Sequence, residues 1–187
     1  MSPRIPPLSD DGMTVEQKIL ISPYVTNGSA ENVFRTMVQY PKLLKRWSPL
    51  IAHVLLKNSL PIRDREILIL RTGFLCGAEY EWAQHVRIAR EAGVGDAEIS
   101  CIMAGMGLSA HEDCLLAAAS ELWRASTISD EIWQDLSKRY TQEQLMDVVM
   151  TVGQYTLVSM VLNSFGVELE SGGGWYPPLP KREGKTG

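Results

Sequence analysis

The long apolar stretch from residue 141 to about residue 165 constrains the fold more than any other part of the chain. Thr141 and Gln144 have the spacing of a reciprocal capping box, which marks the start of a helix. The helix that follows carries few charges on any of its sides. Because a helix that is apolar all round is normally buried, we expect it to lie partly in the domain core and partly against another subunit.

Most of the remaining chain shows the same helical periodicity, and the expected class is all-α. The apolar block at residues 67–70 also suits a buried strand, but its length and its charged flanks favour a helix. Prolines at both ends predict an extended arm over residues 1–12 and a Gly/Pro-rich tail over residues 171–187, with one helical domain over residues 13–170. The periodicity and the start and stop signals predict helices at residues 31–39, 42–57, 61–76, 78–92, 96–106, 110–125, from Ser129, and 141–165.

Composition excludes several kinds of partner. The net charge of −4 gives no positive field for a phosphate backbone, so we expect no nucleic acid. No apolar run reaches the length of a membrane helix and residues 1–12 lack the apolar core of a secretory signal, so we expect no membrane and a cytoplasmic protein. Cys76, Cys101 and Cys114 form no CxxC motif, which predicts reduced thiols rather than a dithiol centre or a zinc knuckle.

One of the three histidines differs from the others in its neighbours. His53 and His111 both lie at positions that favour exposure to solvent. His85 follows Glu81 by one helical turn, so both side chains share a face, and the preceding buried helix supplies Glu66. An exposed Glu–His pair with a small stabilising effect is one interpretation. The other is an imidazole held beside carboxylates as a general acid or base.

A family resemblance rests on residues 65–71 and 80–86, followed by Ala89 and Gly93. These segments resemble the carboxymuconolactone decarboxylase family, which also contains the alkylhydroperoxidase D branch, and the resemblance is clearest over residues 33–107. Glu66 precedes His85 by nineteen residues, which matches the spacing of the family's acidic proton-relay residue and histidine. The resemblance implies an all-α, alkylhydroperoxidase D-like helical bundle that forms a homo-oligomer, a trimer or a hexamer.

The departures from the peroxidase branch bear on the chemistry. That branch has two cysteines at the positions that hold Ala78 and Glu81 here. A thiolate is the nucleophile in thiol peroxidase chemistry, and neither residue replaces it. Cys76 is two residues before position 78 and is expected on a different face of the helix. The decarboxylase branch instead resembles this chain in having Glu at position 81 and His at position 85, so we expect a lyase rather than a thiol peroxidase.

The expected mechanism gives His85 the transfer of a proton at carbon. Glu81 or Glu66 would orient and charge the imidazole. Arg71, or with less support Arg63 or Arg65, would hold a substrate carboxylate by a bidentate pair, with a structural ion pair as the alternative for Arg71.

Tyr80 and Trp82 are expected as pocket wall, with plain packing as the alternative. The predicted function is therefore a cofactor-independent decarboxylase or related proton-transfer enzyme acting on a small carboxylate or lactone. No metal is expected, because a zinc site normally has three protein ligands and only Glu81, His85 and, less directly, Glu66 are candidates. The alternatives are a peroxiredoxin-like oxidoreductase and a non-catalytic oligomer that binds a small molecule.

Overall fold

A computed structural model describes residues 2–26, 28–170 and 175–180. The described part is helical apart from one short antiparallel hairpin of β1 (Val25–Thr26) and β2 (Ser29–Ala30). The all-α prediction is confirmed. The helices in chain order are α1 (Val15–Ile21), α2 (Asn32–Met37), α3 (Pro41–Ala52), α4 (Ile62–Cys76), α5 (Glu79–Glu91), α6 (Asp96–Ala104), α7 (Ala110–Ala125), α8 (Asp130–Ser137) and α9 (Gln142–Phe165).

Helix α4 is the centre of the bundle and packs against α5, α7 and α9. Its consecutive residues Ile67, Leu68, Ile69 and Leu70 are all completely buried. Four adjacent positions cover every side of a helix, so such burial requires neighbours all around it. This explains why the block at residues 67–70 also suits a strand, and the prediction of a helix there is confirmed.

The capping signals place the starts of two helices correctly. The Thr141 N–H donates to Gln144 Oε1 at 3.0 Å, and the Gln144 N–H donates to Thr141 Oγ1 at 3.3 Å. The same reciprocal arrangement joins Ser109 and Glu112 at the start of α7. These contacts satisfy backbone N–H groups that have no partner within a helix.

Residues 13–30 contain structure that the periodicity did not predict, namely α1 and the hairpin. A capping box between Thr14 and Gln17 opens α1, and this spacing is visible in the sequence. Tyr24 then stacks on Phe34, with ring centroids 3.8 Å apart, which ties the hairpin region to α2. The N-terminal part of the chain therefore forms its own apolar cluster against α2 and α3.

The segments outside the bundle are fixed to it by hydrogen bonds. In the N-terminal arm, the backbone N–H of Arg4 donates to the Phe165 carbonyl at the end of α9, 2.8 Å away. Near the other end, the Pro177 carbonyl accepts from the indole N–H of Trp82 at 2.7 Å. Residues 171–174 and 181–187 of the predicted tail lie outside the described residues.

Helix α9 is half core helix and half surface helix. By length and composition α9 could cross a membrane, contrary to the sequence expectation. Half of its most apolar stretch, however, is buried in the domain. Core helices of soluble proteins meet the same criterion. Contact with another subunit remains a prediction. The large apolar side chains that α9 exposes are Met146, Val149, Met150, Leu157 and Met160.

The central position of α4 predicts a large difference between two leucine substitutions. Leu70 is completely buried, whereas Leu56 is 81% exposed. Leu70→Ala should lower the free energy of unfolding by about 2–5 kcal/mol, because it removes buried methyl groups and leaves a cavity. The control Leu56→Ala should change it by less than about 0.5 kcal/mol. Urea unfolding measures both, and equal losses would contradict the central role of α4.

Candidate functional site

The three residues predicted to do chemistry meet where α4 and α5 pack together. His85 Nδ1 lies 2.6 Å from Glu66 Oε2, and His85 Nε2 lies 2.9 Å from Glu81 Oε1. All three side chains are buried. Glu81 and His85 share a face because they are four residues apart on α5, and the α4–α5 contact brings Glu66 to the other ring nitrogen. The alternative of an exposed Glu–His pair is therefore wrong.

A fourth residue of the site, Tyr155, was missed by the sequence analysis. Its hydroxyl lies 3.1 Å from His85 Nε2, and its ring stands edge-on to the imidazole with centroids 4.9 Å apart. Tyr155 comes from α9, about seventy residues further along the chain. The only signal in the sequence is the polar pair Gln154–Tyr155 inside an otherwise apolar helix.

Arg65 completes a buried network of charges behind the imidazole. Its Nη2 lies 2.8 Å from Glu66 Oε1, so the Glu66 carboxylate bridges Arg65 and His85. Burial opposes the charged imidazole, but Glu66 and Glu81 outweigh it and raise the pKa of His85 to about 10. Burial likewise opposes the ionised Glu66, yet His85 and Arg65 hold the pKa of this carboxyl below its usual value. His85 is therefore an imidazolium at neutral pH.

A cavity of about 140 Å³ adjoins the imidazole. His85, Glu81 and Tyr155 lie on its wall together with Tyr80, whereas Glu66 does not line it. The predicted position of Tyr80 on the wall is confirmed; burial and its hydrogen bond to Glu170 raise the pKa of its hydroxyl. The other lining residues are mostly apolar: Glu31, Val33, Phe34, Trp47, Ile51, Val54, Leu55, Gln84, Ile88, Gln154 and Val158. The sequence analysis did not identify Glu31.

Two predicted substrate-binding residues lie elsewhere. Arg71 donates to the carbonyls of Ile102 and Met103 at the end of α6, at 3.0 and 2.8 Å, and does not line the cavity. The alternative, a structural ion pair with a neighbouring helix, is not observed either: the described hydrogen-bond partners of the guanidinium are the two carbonyls of α6 and Ser120 Oγ of α7. Trp82 is completely buried in the main core and points its indole N–H at Pro177, so its predicted place on the pocket wall is wrong.

The other two arginines that were considered for the substrate also bind protein groups. Arg63 forms ion pairs with Glu98 and Glu112 away from the cavity. Arg65 is bound to Glu66 and to the Leu55 carbonyl. The part of the cavity wall that the structure describes therefore contains no lysine or arginine for a substrate carboxylate.

The other two histidines are remote from the cavity. His53 is exposed as predicted, but its Nε2 also contacts Asp147 Oδ1 at 2.8 Å. His111 is partly exposed and lies near Asp64 and Glu112, and the possible ligand atoms of these three residues are within 4.8 Å of one another. This is the one group of described residues spaced like metal ligands, and the sequence analysis did not foresee it. However, both Glu112 oxygens are already bonded, to Arg63 and to Ser109.

The capping role of Arg71 predicts a loss of stability when the guanidinium is removed. A Cβ at Gly105 would lie 2.6 Å from Arg71 Nη2, which shows how closely the side chain packs against the end of α6. Arg71→Met should lower the free energy of unfolding by about 2 kcal/mol, because carbonyls lose a charged donor. Urea unfolding measures the loss, and wild-type stability in this variant would argue against the structural role.

The raised pKa of His85 predicts a pH dependence of stability. The folded protein keeps the imidazole proton up to about pH 10, whereas the unfolded chain loses it near pH 6.5. This stabilisation is complete below the unfolded pKa and is lost as the pH rises through the folded one. The free energy of unfolding of the wild type should therefore fall more steeply with pH in this window than that of His85→Gln. Identical slopes for wild type and His85→Gln would contradict the buried imidazolium.

Comparisons with solved structures agree with this architecture. An uncharacterized peroxidase-related protein from Silicibacter sp. TM1040 matches with a TM-score of 0.73 and 17% identity, covering 90% of each chain. The alkylhydroperoxidase AhpD core protein from Ralstonia eutropha JMP134 matches with a TM-score of 0.78 and 16% identity, over 90% of this chain and 93% of that one. A variant of the debrominase Bmp8 in complex with 2,3,4-tribromopyrrole has a TM-score of 0.75 and 15% identity, over 91% and 94% of the two chains. At such identities the likeness establishes the fold.

The sequence comparisons give a family match over part of the chain. A search among curated proteins finds no match. The sequence profile of the carboxymuconolactone decarboxylase family matches residues 41–124, a range that includes Glu66, Glu81 and His85. Over this range the chain is similar to the carboxymuconolactone decarboxylase family, and its alkylhydroperoxidase D-like helical bundle agrees with that similarity.

Proposed function

We propose that this protein is a cofactor-independent enzyme that transfers a proton at carbon, a decarboxylase or a related lyase, in the cavity beside His85. The observation that carries the proposal is the imidazole itself, which is buried between Glu66 and Glu81 and lies on the wall of a small cavity. Strongly perturbed groups beside a cavity are typical of catalytic sites, although structural networks also perturb pKa values. The substrate would be a small, largely apolar lactone or carboxylic acid.

The geometry divides the work among the residues. Glu66 is a positioning residue, because it binds Nδ1 and does not line the cavity. It fixes the ring so that Nε2 lies beside Glu81 and Tyr155, as a carboxylate behind a histidine orients the ring in other enzymes. His85 and Glu81 line the cavity and are the catalytic residues of the proposal. Tyr155 supplies a hydroxyl at the same nitrogen.

Loss of CO2 uses these groups in a balanced sequence. The bond between the substrate carbon and its carboxylate breaks, and its electron pair moves into an adjacent conjugated carbonyl to form an enolate. The imidazolium stabilises the developing oxyanion by charge and hydrogen bonding. His85 then delivers its proton to carbon, and solvent returns a proton to the ring. In a proton shift without CO2 loss, the Glu81 carboxylate would remove the first proton.

Thiol peroxidase chemistry has less support. None of Cys76, Cys101 and Cys114 lines the cavity. Ala78 and Glu81 occupy the positions that carry the two cysteines in the alkylhydroperoxidase D branch. Burial and nearby acidic groups raise the pKa of Cys114, which disfavours a reactive thiolate there.

Paired substitutions on α5 test the proposal. His85→Gln and Glu81→Gln should each lower turnover by about 10²–10⁴-fold, the usual cost of losing general acid–base catalysis. The matched control is Glu91→Gln, an exposed residue at the end of the same helix, and it should keep the wild-type rate. Substrates would be drawn from γ-lactone acids and β,γ-unsaturated acids, with CO2 release and the incorporation of solvent deuterium at carbon as the two measurements.

Two results would overturn this assignment. One is wild-type turnover in both His85→Gln and Glu81→Gln. The other is peroxide consumption by the wild type that disappears when the three cysteines are replaced by alanine. That result would support a thiol peroxidase mechanism instead. A cysteine-free variant that keeps lyase turnover supports the acid–base mechanism.

A further inference from the structure

Glu31 is an acidic group of the cavity that the mechanism above does not use. It immediately precedes α2, and its backbone carbonyl accepts from the Phe34 and Arg35 N–H groups at 3.0 and 3.1 Å. Its side chain makes no capping bond to the helix and instead lies on the cavity wall. The residue is outside the range 41–124 that the family profile matches.

The Glu31 carboxyl differs from its acidic neighbours in having no partner within the described part of the chain. Glu66 and Glu81 both contact His85, and the Glu170 carboxyl accepts from Tyr80 and Gln84. Glu31 is half-buried, and no described residue forms a hydrogen bond or ion pair with its carboxyl. Because this carboxyl lies on the cavity wall without a partner among the described residues, it is available to a ligand in the cavity.

The surroundings of Glu31 make its carboxyl easier to protonate than that of an ordinary glutamate. Burial and the negative charges of Glu170 and Glu81 raise the pKa of this carboxyl, while His85 and Arg87 act in the opposite direction without cancelling the increase. A protonated carboxyl is a hydrogen-bond donor, whereas an ionised one only accepts. The described lining contains no lysine or arginine. A protonated Glu31 carboxyl therefore supplies a hydrogen-bond donor for an oxygen atom of a ligand.

The position of Glu31 is fixed by the segment that follows α9. Glu170 Oε1 accepts from the Asn32 backbone N–H at 2.6 Å, and the Glu168 carbonyl accepts from the Asn32 side chain at 2.9 Å. The same Glu170 oxygen accepts from Tyr80, which is on the cavity wall. These contacts tie Asn32 to α5, and they keep the carboxyl of the neighbouring Glu31 at the cavity.

We propose that Glu31 is a further substrate-binding residue of this site. It donates a hydrogen bond to a carbonyl or carboxylate oxygen of a small ligand, and apolar side chains such as Val33 and Phe34 pack against the ligand body. The proposal rests on the function assigned above and deepens it. It names the ligand class as a small, mostly apolar molecule with an oxygen acceptor. It also gives the N-terminal part of the chain a role in recognition.

Two probes of the same shape and opposite charge test the proposal. Benzoate presents oxygen acceptors, and benzamidine presents only donors and a positive charge. Calorimetric titration of the wild type should show binding of benzoate in preference to benzamidine. Benzoate affinity should fall about tenfold as the pH rises and Glu31 ionises, because the donor is lost and a like charge appears.

Variants at position 31 separate hydrogen bonding from charge. Glu31→Gln keeps a donor of similar shape, so its benzoate affinity should stay close to that of the wild type at low pH and should not fall with pH. Glu31→Ala should bind benzoate about tenfold more weakly at low pH. Glu16→Gln, on the exposed side of α1, is the control and should behave as the wild type. Because the side chain makes no structural bond, thermal unfolding should be the same for all four proteins.

Three results would overturn the role of Glu31. They are preferential binding of benzamidine, equal or tighter benzoate binding by Glu31→Ala at every pH, and no benzoate binding by the wild type. A failure of the proposed lyase function is recognised separately, since it would appear as full turnover by His85→Gln whatever the effect of Glu31 on binding.

Discussion

The contact between Glu66 and His85 is the interaction on which the candidate site depends. It joins the central helix α4 to α5 through a buried pair of charged groups, 2.6 Å apart, with Arg65 behind the carboxylate. Buried charges are costly, and they are tolerated when each has an opposite charge and a hydrogen bond. Glu66 has both, through Arg65 and His85. The fold therefore holds the imidazole in one orientation, as the proposed acid–base mechanism requires.

The cavity beside this pair is assembled from parts of the chain that are distant in sequence. Helix α5 supplies His85, Glu81 and Tyr80, α9 supplies Tyr155, and the N-terminal part supplies Glu31. Only the first group lies within the residues that the family profile matches. The matched region thus contains the Glu81–His85 pair, while flanking segments supply other parts of the cavity wall.

The comparison of the three arginines shows where sequence reasoning fails. Each was a reasonable partner for a substrate carboxylate by charge and position alone. The structure uses Arg71 to bind the last carbonyls of α6, Arg63 to join α6 and α7 through two glutamates, and Arg65 to hold Glu66. A guanidinium has several donors in fixed geometry and binds whichever acceptors the packing brings within reach. Sequence spacing contains no information on those acceptors when they are carbonyls of another helix.

The sequence by itself determined the helical class, the capping boxes that start α7 and α9, and the shared face of Glu81 and His85, because these depend on residues three or four apart. The Glu66 partner was inferred from the preceding buried helix and supported by the family spacing. Only the tertiary structure decided that Tyr155 and Glu31 face the same cavity, that Trp82 is core and that Arg71 caps a helix. Those outcomes depend on how helices pack against one another, and packing joins residues whose separation in the chain carries no periodic signal.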